Sequence, residues 1–569
     1  MTTGGPITID AKRFEAAIAR HLEQEPMFKV GEAHVRGAPY RVFENAPPTL
    51  VGLFMYGTIH GEKDFLIYGD ERLSFVELFR RGCRFANVLA KEFGVKKGDR
   101  VAIAMRNYPE WCVAYVGVIA LGAVVVPLNA WWKTEEFRYA LKDCEARLVV
   151  VDDRRLEYLR PLKDELGLVF ILARGGAEGA DHAFEELLAR EVDASPPAVE
   201  IDRDDDFCIV YTSGSTGNPK GAILTHRGVV TTLLSWALVA SSIKEARDGV
   251  SILGDNPGIL LAVPLFHVTG SHSLFLFSWL LGRRVVMMRK WNAREAVELI
   301  NAHQLTSFVG VPSQSFEMIE AAGELEMPSL IDIGSGGAKR PAEHVRRLRD
   351  RFPYANPASG YGLTETNAIG CIISLNDYRE RPESTGRVVP PVTDLKIMTE
   401  SGEAATGEVG EVWIRSPSNF RGYLNLPDET ARALTRDGWF RTGDLGRLDA
   451  DGFLYIVDRI KDLIIRGGEN ISCLEVEARA YHHHNVAEAV VFSVPDERLG
   501  ERVGLVVFPK SGPLDPAELR DFMARDLAAF KTPERIWVSP QPLPRLGTEK
   551  FDKRSIRAFA LRFPPHFSA

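Results

Sequence analysis

The chain has 569 residues, 45% hydrophobic and 26% charged, which is too long for a single core and ordinary for a soluble multidomain protein. A net charge of −8 argues against nucleic acid or an anionic membrane surface as the main partner, while leaving room for a local basic pocket. Six cysteines without CxxC spacing, and an N-terminus lacking the basic-then-apolar layout of a secretory signal, give the expectation of reduced thiols in a cytoplasmic protein.

From about Leu73 to Ala342, strand-like apolar runs alternate with amphipathic helical stretches. The runs at 101–105, 148–151, 168–172, 259–264, 285–288 and 307–311 predict layered α/β architecture with largely parallel sheets. Residues 111–128 are apolar for nearly the length of a membrane span, but Gly117, Gly122 and Pro127 interrupt them. The stretch reads as a buried helix to about Leu121, a turn at Gly122 and a buried β-branched strand, with no membrane span.

The most informative segment follows at residues 211–226, YTSGSTGNPKGAILTH. Thr212, Ser213, Ser215 and Thr216 surround Gly214 and Gly217, and Lys220 lies between Pro219 and Gly221. Glycines let backbone amides approach an anion, hydroxyls donate to phosphate oxygens, and lysine adds a mobile charge. With a strand at 207–211 and a helix at 227–240, the expectation is a polyphosphate loop between strand and helix. Lys220 is not followed by Ser or Thr, so the loop is not a Walker A motif. A flexible linker would be flanked by polar sequence, not by an apolar strand.

Further motifs come in order: PLFHVTG (264–270), GSGGAKRP (334–341), YGLTE (361–365), RTGDLG (441–446), DRIKDLIIRGGENIS (458–472) and LPRLGTEKFDKR (543–554). Between them, Arg346, Arg347, Arg349 and Arg351 read as the polar face of a helix. After about Ser384, short strands at 394–398 and 410–414 suggest a small β subdomain, and DRIKD marks the boundary before a last α/β unit. That unit has strands at 489–494 and 503–508 and a helix at 516–527. His482, His483 and His484 are consecutive and lack spaced partners, so they read as the solvated end of a helix and not as a metal site.

Taken alone, Asp444 is a turn residue, Glu365 a helix-start carboxylate and His267 a half-buried histidine. The ordered set resembles the adenylate-forming superfamily, which includes acyl-CoA synthetases, firefly luciferase and peptide-synthetase adenylation domains. The resemblance implies an α/β fold with a large multi-layer N-terminal domain (1–460; two α/β sheets plus a small β subdomain). A smaller mobile α+β C-terminal domain (461–569) would turn about a hinge at Lys461.

It also implies ATP, Mg2+ and CoA as ligands and a site residue by residue. Thr212, Ser213, Gly214, Ser215, Thr216, Gly217 and Lys220 would hold the phosphates. Gly336, Gly337 and Ala338 would line the adenine and acyl side, beside Gly360, Tyr361 and Gly362, where Tyr361 offers a face for adenine. Thr364 would meet the α-phosphate, and Glu365 with Thr216 the metal. Asp444, supported by Arg459, would take the ribose, His267 would shape the acyl entrance, and Lys550 would neutralise charge building between carboxylate and α-phosphate. Losing one such contact typically costs about a hundredfold or more in rate. Rotation would withdraw Lys550 and bring up Gly467, Gly468, Glu469 and Asn470 for CoA.

Two departures bear on the reaction. Glu549 stands where the family has glycine before the lysine, and Lys553 competes with Lys550 for the catalytic role. The histidine motif offers no carboxylate for an α-ammonium group, which favours a fatty, aryl or alicyclic acid. The pocket segments would be 267–276, 307–314 and 362–370. Trp236 reads as core or as a tunnel gate. The chain ends about twenty residues after Lys550, so CoA is the simplest acceptor. The alternatives are an acyl-AMP ligase loading a separate carrier protein and a catalytically silent nucleotide-binding protein; a homodimer stays open.

Overall fold

The break expected inside the long apolar run falls at Gly122, whose φ of +72° ends the helix Pro109–Ala120 and admits the strand Val124–Pro127. The computed structural model describes residues 9–176, 178–212, 219–251, 253–547 and 549–568. Strand Val124–Pro127 joins an eight-stranded sheet whose centre is parallel: Val124–Pro127, Arg100–Ala104, Leu148–Asp152 and Val169–Arg174. Both faces are covered, which is why these strands read as continuous Val/Ile/Leu runs.

A second, nine-stranded sheet carries the parallel strands Asn356–Gly362, Asp332–Ser335, Ser307–Gly310, Gly258–Leu261 and Arg284–Met287 in that spatial order. The largest core cluster draws on both sheets and is filled by Phe65, Phe75, Trp111, Tyr115, Phe275 and Trp279. Each such side chain contributes roughly 1.5–3 kcal/mol when fully buried. Helix His226–Ala246 is long and apolar enough to cross a membrane, but Val229, Leu233, Leu234 and Leu238 are buried within this core. Trp236 lies half-buried at its flank against Phe277.

The sequence misleads at the phosphate loop. Strand Asp206–Thr212 is followed not by a helix but by the antiparallel strand Lys220–Thr225, paired from Thr212↔Lys220 to Asp206↔Thr225. The helix begins at His226, within a residue of where the sequence places it, with Thr225 as its N-cap accepting from the Gly228 amide (3.2 Å); the strand before it is what the sequence did not show. No turn residue separates Thr225 from His226, so the short strand merges with the helical pattern in sequence. The helix N-terminus therefore lies a strand's length, roughly 20 Å, from the loop and adds little to anion binding there.

Two smaller sheets follow. Asp394–Thr399, Gly410–Arg415, Trp439–Leu448 and Leu454–Arg459 form most of a five-stranded antiparallel sheet. After the short turn Ile460–Asp462 a further sheet begins at Ile464–Arg466, with the long hairpin Val486–Asp496/Gly500–Pro509 at its centre. Helix Cys473–Tyr481 packs on that hairpin. His482 and His484 are exposed as expected, but His483 is buried edge-on against Phe522, 5.0 Å between ring centroids, and its Nδ1 accepts from the Asn485 amide (3.3 Å). The arginines of helix Ala342–Arg351 pair locally with Glu343 and Asp350 or cap the carbonyls of Gly323 and Leu325.

Candidate active site

The strand ends of the second sheet, the five-stranded sheet and the C-terminal hairpin meet around a cleft of about 2680 Å³, well above the volume one small ligand needs. His267, Gly337, Ala338, Gly360, Tyr361, Gly362, Asp444, Arg459, Lys461 and Lys550 all line it. Residues separated by some 280 positions in sequence thus share one space.

Asp444 and Arg459 are brought together by register. They are directly opposed on the antiparallel strands Trp439–Leu448 and Leu454–Arg459. The Arg459 Nε lies 3.1 Å from Asp444 Oδ1, and the Tyr361 hydroxyl donates to Asp444 Oδ2 (2.8 Å). Asp444 is only 4% exposed, and burial raises its pKa against the pull of Arg459. Each carboxylate oxygen keeps a second lone pair for a ligand hydroxyl.

Glu365 sits in the short turn Thr364–Thr366, which carries Thr364 at its first position. The Tyr423 hydroxyl donates to Glu365 Oε1 (2.8 Å), and the Glu365 carbonyl accepts from the Phe420 amide. Below it, Asn367 adopts φ +52°, bonds the Ser418 carbonyl and meets His272 Nε2 at 3.1 Å. Glu365 is 9% exposed. Among the described residues no group of three or more His, Cys, Asp or Glu side chains gathers to hold a metal. A single carboxylate suits Mg2+, which takes one or two protein oxygens and completes its shell with phosphate and water.

Of the phosphate loop, Ser213, Gly214, Ser215, Thr216 and Gly217 lie outside the described residues. Its two ends are defined. Thr212 Oγ1 donates to the Lys220 carbonyl (3.3 Å), and Lys220 Nζ pairs with Glu429 Oε2 at 2.6 Å while lying 5.2 Å from the Tyr423 ring centroid.

The structure separates the two candidate lysines. Both line the cleft, but Lys553 is engaged by Glu477 of helix Cys473–Tyr481 (2.8 Å) inside the C-terminal unit. Lys550 reaches across the cleft to Gly337, where a methyl group would lie 3.2 Å from its Cε and 3.4 Å from its Nζ. A φ of +76° is what favours glycine at position 337. Burial, then the charge of Arg459, lowers the Lys550 pKa to about 8 against the opposing pull of Asp444. His267 is held uncharged, its pKa pushed to about 3 by burial and by Lys550; its buried Nε2 has no hydrogen-bond partner among the described residues. Glu549 takes φ +61°, the left-handed conformation that glycine would adopt without cost.

Gly467, Gly468, Glu469 and Asn470 are not brought to this space. Gly467 and Gly468, at φ +59° and +92°, form the exposed turn between strands Ile464–Arg466 and Glu469–Ile471, and Glu469 and Asn470 are exposed on the second strand. Gly336 lies in the loop after strand Asp332–Ser335, its amide on the Gly310 carbonyl (3.1 Å). Sequence reasoning passed over Tyr423, Glu429, Trp131 and Arg106. The first two sit in GYLNLPDET (422–430), a segment with a single glycine and no motif that would mark either residue.

Two family models match the chain: AMP-binding enzyme over residues 57–424 and AMP-binding enzyme C-terminal domain over residues 475–550. The long-chain-fatty-acid–CoA ligase FadD13 of Mycobacterium tuberculosis is 31% identical over 493 residues, 86% of this chain and 93% of that protein. Feruloyl-CoA synthase of Amycolatopsis sp is 33% identical over 496 residues, 86% and 94% respectively. Among solved structures, o-succinylbenzoate CoA synthetase (MenE) from Bacillus subtilis with its acyl-adenylate intermediate superposes with a TM-score of 0.76 at 28% identity. That match covers 90% of this chain and 98% of the other. ATP-bound MatB from Rhodopseudomonas palustris gives a TM-score of 0.79 at 25% identity, with the same coverage.

Proposed function

The chain belongs to the AMP-binding enzyme family, and on that premise we propose that it is an ATP-dependent carboxylic acid–CoA ligase whose chemistry is carried by the cleft around Lys550. In the first half-reaction a carboxylate oxygen attacks the α-phosphorus of ATP, and pyrophosphate leaves with the electron pair of the broken P–O bond. In the second, the CoA thiol attacks the acyl carbonyl, AMP leaves, and the thiol proton is released.

The reading rests above all on one observation: Lys550 reaches the Gly337 loop beside Asp444 and Arg459. A cation there offsets the repulsion between two anions as they join. Asp444 would accept the ribose hydroxyls and Tyr361 would present its ring to adenine. Thr364 would donate to the α-phosphate, and Lys220 with the loop before it would hold the departing pyrophosphate. Glu365 would hold Mg2+, which when bound supplies charge neutralisation on the phosphates. Neutral His267, tilted against Phe266 with 4.5 Å between centroids, would line the acyl entrance as an uncharged wall.

We assign residues 1–460 to the larger domain and 461–569 to the smaller one, with Lys461 as the hinge. Sheet pairing supports this division, since the five-stranded sheet ends at Arg459 and the next begins at Ile464. In the orientation described, Lys550 occupies the cleft and the Gly467–Gly468 turn faces solvent, as adenylation requires; rotation would exchange them for thiol transfer. The absence of a carboxylate in Phe266–Val268 favours a fatty, aryl or alicyclic acid without an α-amino group.

The test is a panel of such acids assayed for pyrophosphate release with and without CoA. Acid-dependent release followed by CoA thioester formation is expected. Release without any thioester would point to a carrier-protein acceptor, and no release with any acid would overturn the ligase reading.

A further inference from the structure

Lys550 stands on a tight hairpin. Arg545 and Phe551 are bridged, the Leu546 amide donates to the Lys550 carbonyl (2.7 Å), and the Glu549 amide donates back to the Leu546 carbonyl (2.9 Å). A turn closed this way moves as a unit, so whatever fixes its near side also fixes the lysine.

Its near side rests on a tryptophan from the larger part of the chain. A methyl group on Gly547 would lie 2.5 Å from Trp131 Cδ2, 2.6 Å from Cε3 and 2.7 Å from Cγ, distances real carbons do not tolerate. The hairpin backbone is therefore laid on the face of the indole. The Arg106 guanidinium lies 3.6 Å from the centroid of the same ring. Two groups cannot occupy one face at these distances, so Arg106 backs the face opposite Gly547. Phe266 meets Trp131 edge-on at 5.7 Å, and the Trp131 amide is fixed by Asn129 Oδ1 (2.9 Å). A ring held on both sides and at its edge is a rigid platform.

Glu549, which stands where the family has glycine, feels the charges of Arg545, Lys290 and Arg106, but burial, helped by the charge of Glu317, outweighs them and raises its pKa.

We propose that Trp131, backed by Arg106, is the seat on which the Lys550 hairpin docks, making Trp131 a positioning residue for the first half-reaction. The inference rests on Lys550 acting in adenylation as proposed above. It needs no contact between Trp131 and substrate: the indole sets where the hairpin stops, and the hairpin sets where the ammonium lies. A methyl group at Gly547 would lift the hairpin by about 1 Å, a displacement that can cost on the order of a hundredfold when it falls on reacting groups.

The experiment uses the full-length enzyme and an acid found by the panel. Single-turnover pyrophosphate release without CoA is measured beside thioester formation from chemically prepared acyl-adenylate. Gly547→Ala and Trp131→Ala should each lower release about tenfold to a hundredfold and leave transfer within about twofold, while Trp131→Phe restores much of the loss. The double variant should be no slower than Trp131→Ala, because the methyl group does harm only when the indole is present. Equal losses in both steps, or a double variant slowed by the product of the single effects, would overturn the seat. Lys550→Ala is the reference: if it retains full release, the assignment of Lys550 falls, and the seat with it.

Discussion

Raising the pH should switch off the first half-reaction before the enzyme unfolds. Lys550 is drawn from the ordinary lysine range to about 8, first by burial and then by Arg459, against Asp444. Its pKa is depressed, so the ammonium form is complete well below pH 8 and is lost as pH rises through it. At pH 9, one unit above, about a tenth of the free enzyme keeps the charge, and kcat/KM for pyrophosphate release should fall to about a tenth of its plateau. Bound triphosphate favours the ammonium, so the fall in kcat should lie at higher pH than the fall in kcat/KM. CoA is left out because a thiol titrates in the same range. His267 does not contribute to this limb, since its pKa is pushed to about 3. Lys550→Arg supplies a cation that does not titrate; its rate should be lower but flat from pH 7 to 9.5. A fall of the same size in Lys550→Arg, or none in the parent enzyme up to pH 9.5, would refute the assignment.

Three further outcomes are expected. Asp444→Asn removes the charge that raises the Lys550 pKa, so the alkaline fall should shift to lower pH while KM for ATP rises about tenfold, as loss of a charged hydrogen-bond acceptor predicts. Glu429→Gln releases Lys220 from an ion pair at 2.6 Å, and KM for ATP should drop several-fold in steady-state assays. Lys553→Met unpairs Glu477 of helix Cys473–Tyr481 from a half-exposed partner; thermal unfolding should show a loss of about 1–2 kcal/mol, between an exposed and a fully buried pair, with adenylation retained by the folded fraction.

Much of the architecture could be read from the residues because buried parallel strands announce themselves as short β-branched runs. The runs at 101–105, 148–151 and 285–288 appear as Arg100–Ala104, Leu148–Asp152 and Arg284–Met287. The strand Lys220–Thr225 was hidden because an edge-on pairing with Asp206–Thr212 leaves no turn residue before the following helix. His483 was hidden for another reason: a terminal helical turn exposes or buries a residue according to the partner behind it, here Phe522, some 40 positions away. At the cleft, Asp444, Glu365 and Lys550 could be picked out by motif. Their partners Tyr423 and Trp131 could not, because a tyrosine or tryptophan near a turn is usually core and only the tertiary register aims it at a carboxylate or a hairpin. Glu549 stands where the family has glycine, yet the backbone there keeps the left-handed turn.

The antiparallel pairing that replaced the expected loop-to-helix junction has a mechanical consequence. Strand Lys220–Thr225 is shared: one edge pairs with Asp206–Thr212, the other with Gly422–Tyr423 through Ala222↔Tyr423. Lys220 at the start of that strand and Tyr423 on its neighbour, which grips Glu365, are therefore two fittings on one rail. Their spacing is set by the ladder pitch, not by how side chains happen to pack. Wide drift in the residues around the proposed acid pocket can leave that spacing untouched, so selectivity for the acid can change without recalibrating the proposed grip on phosphate.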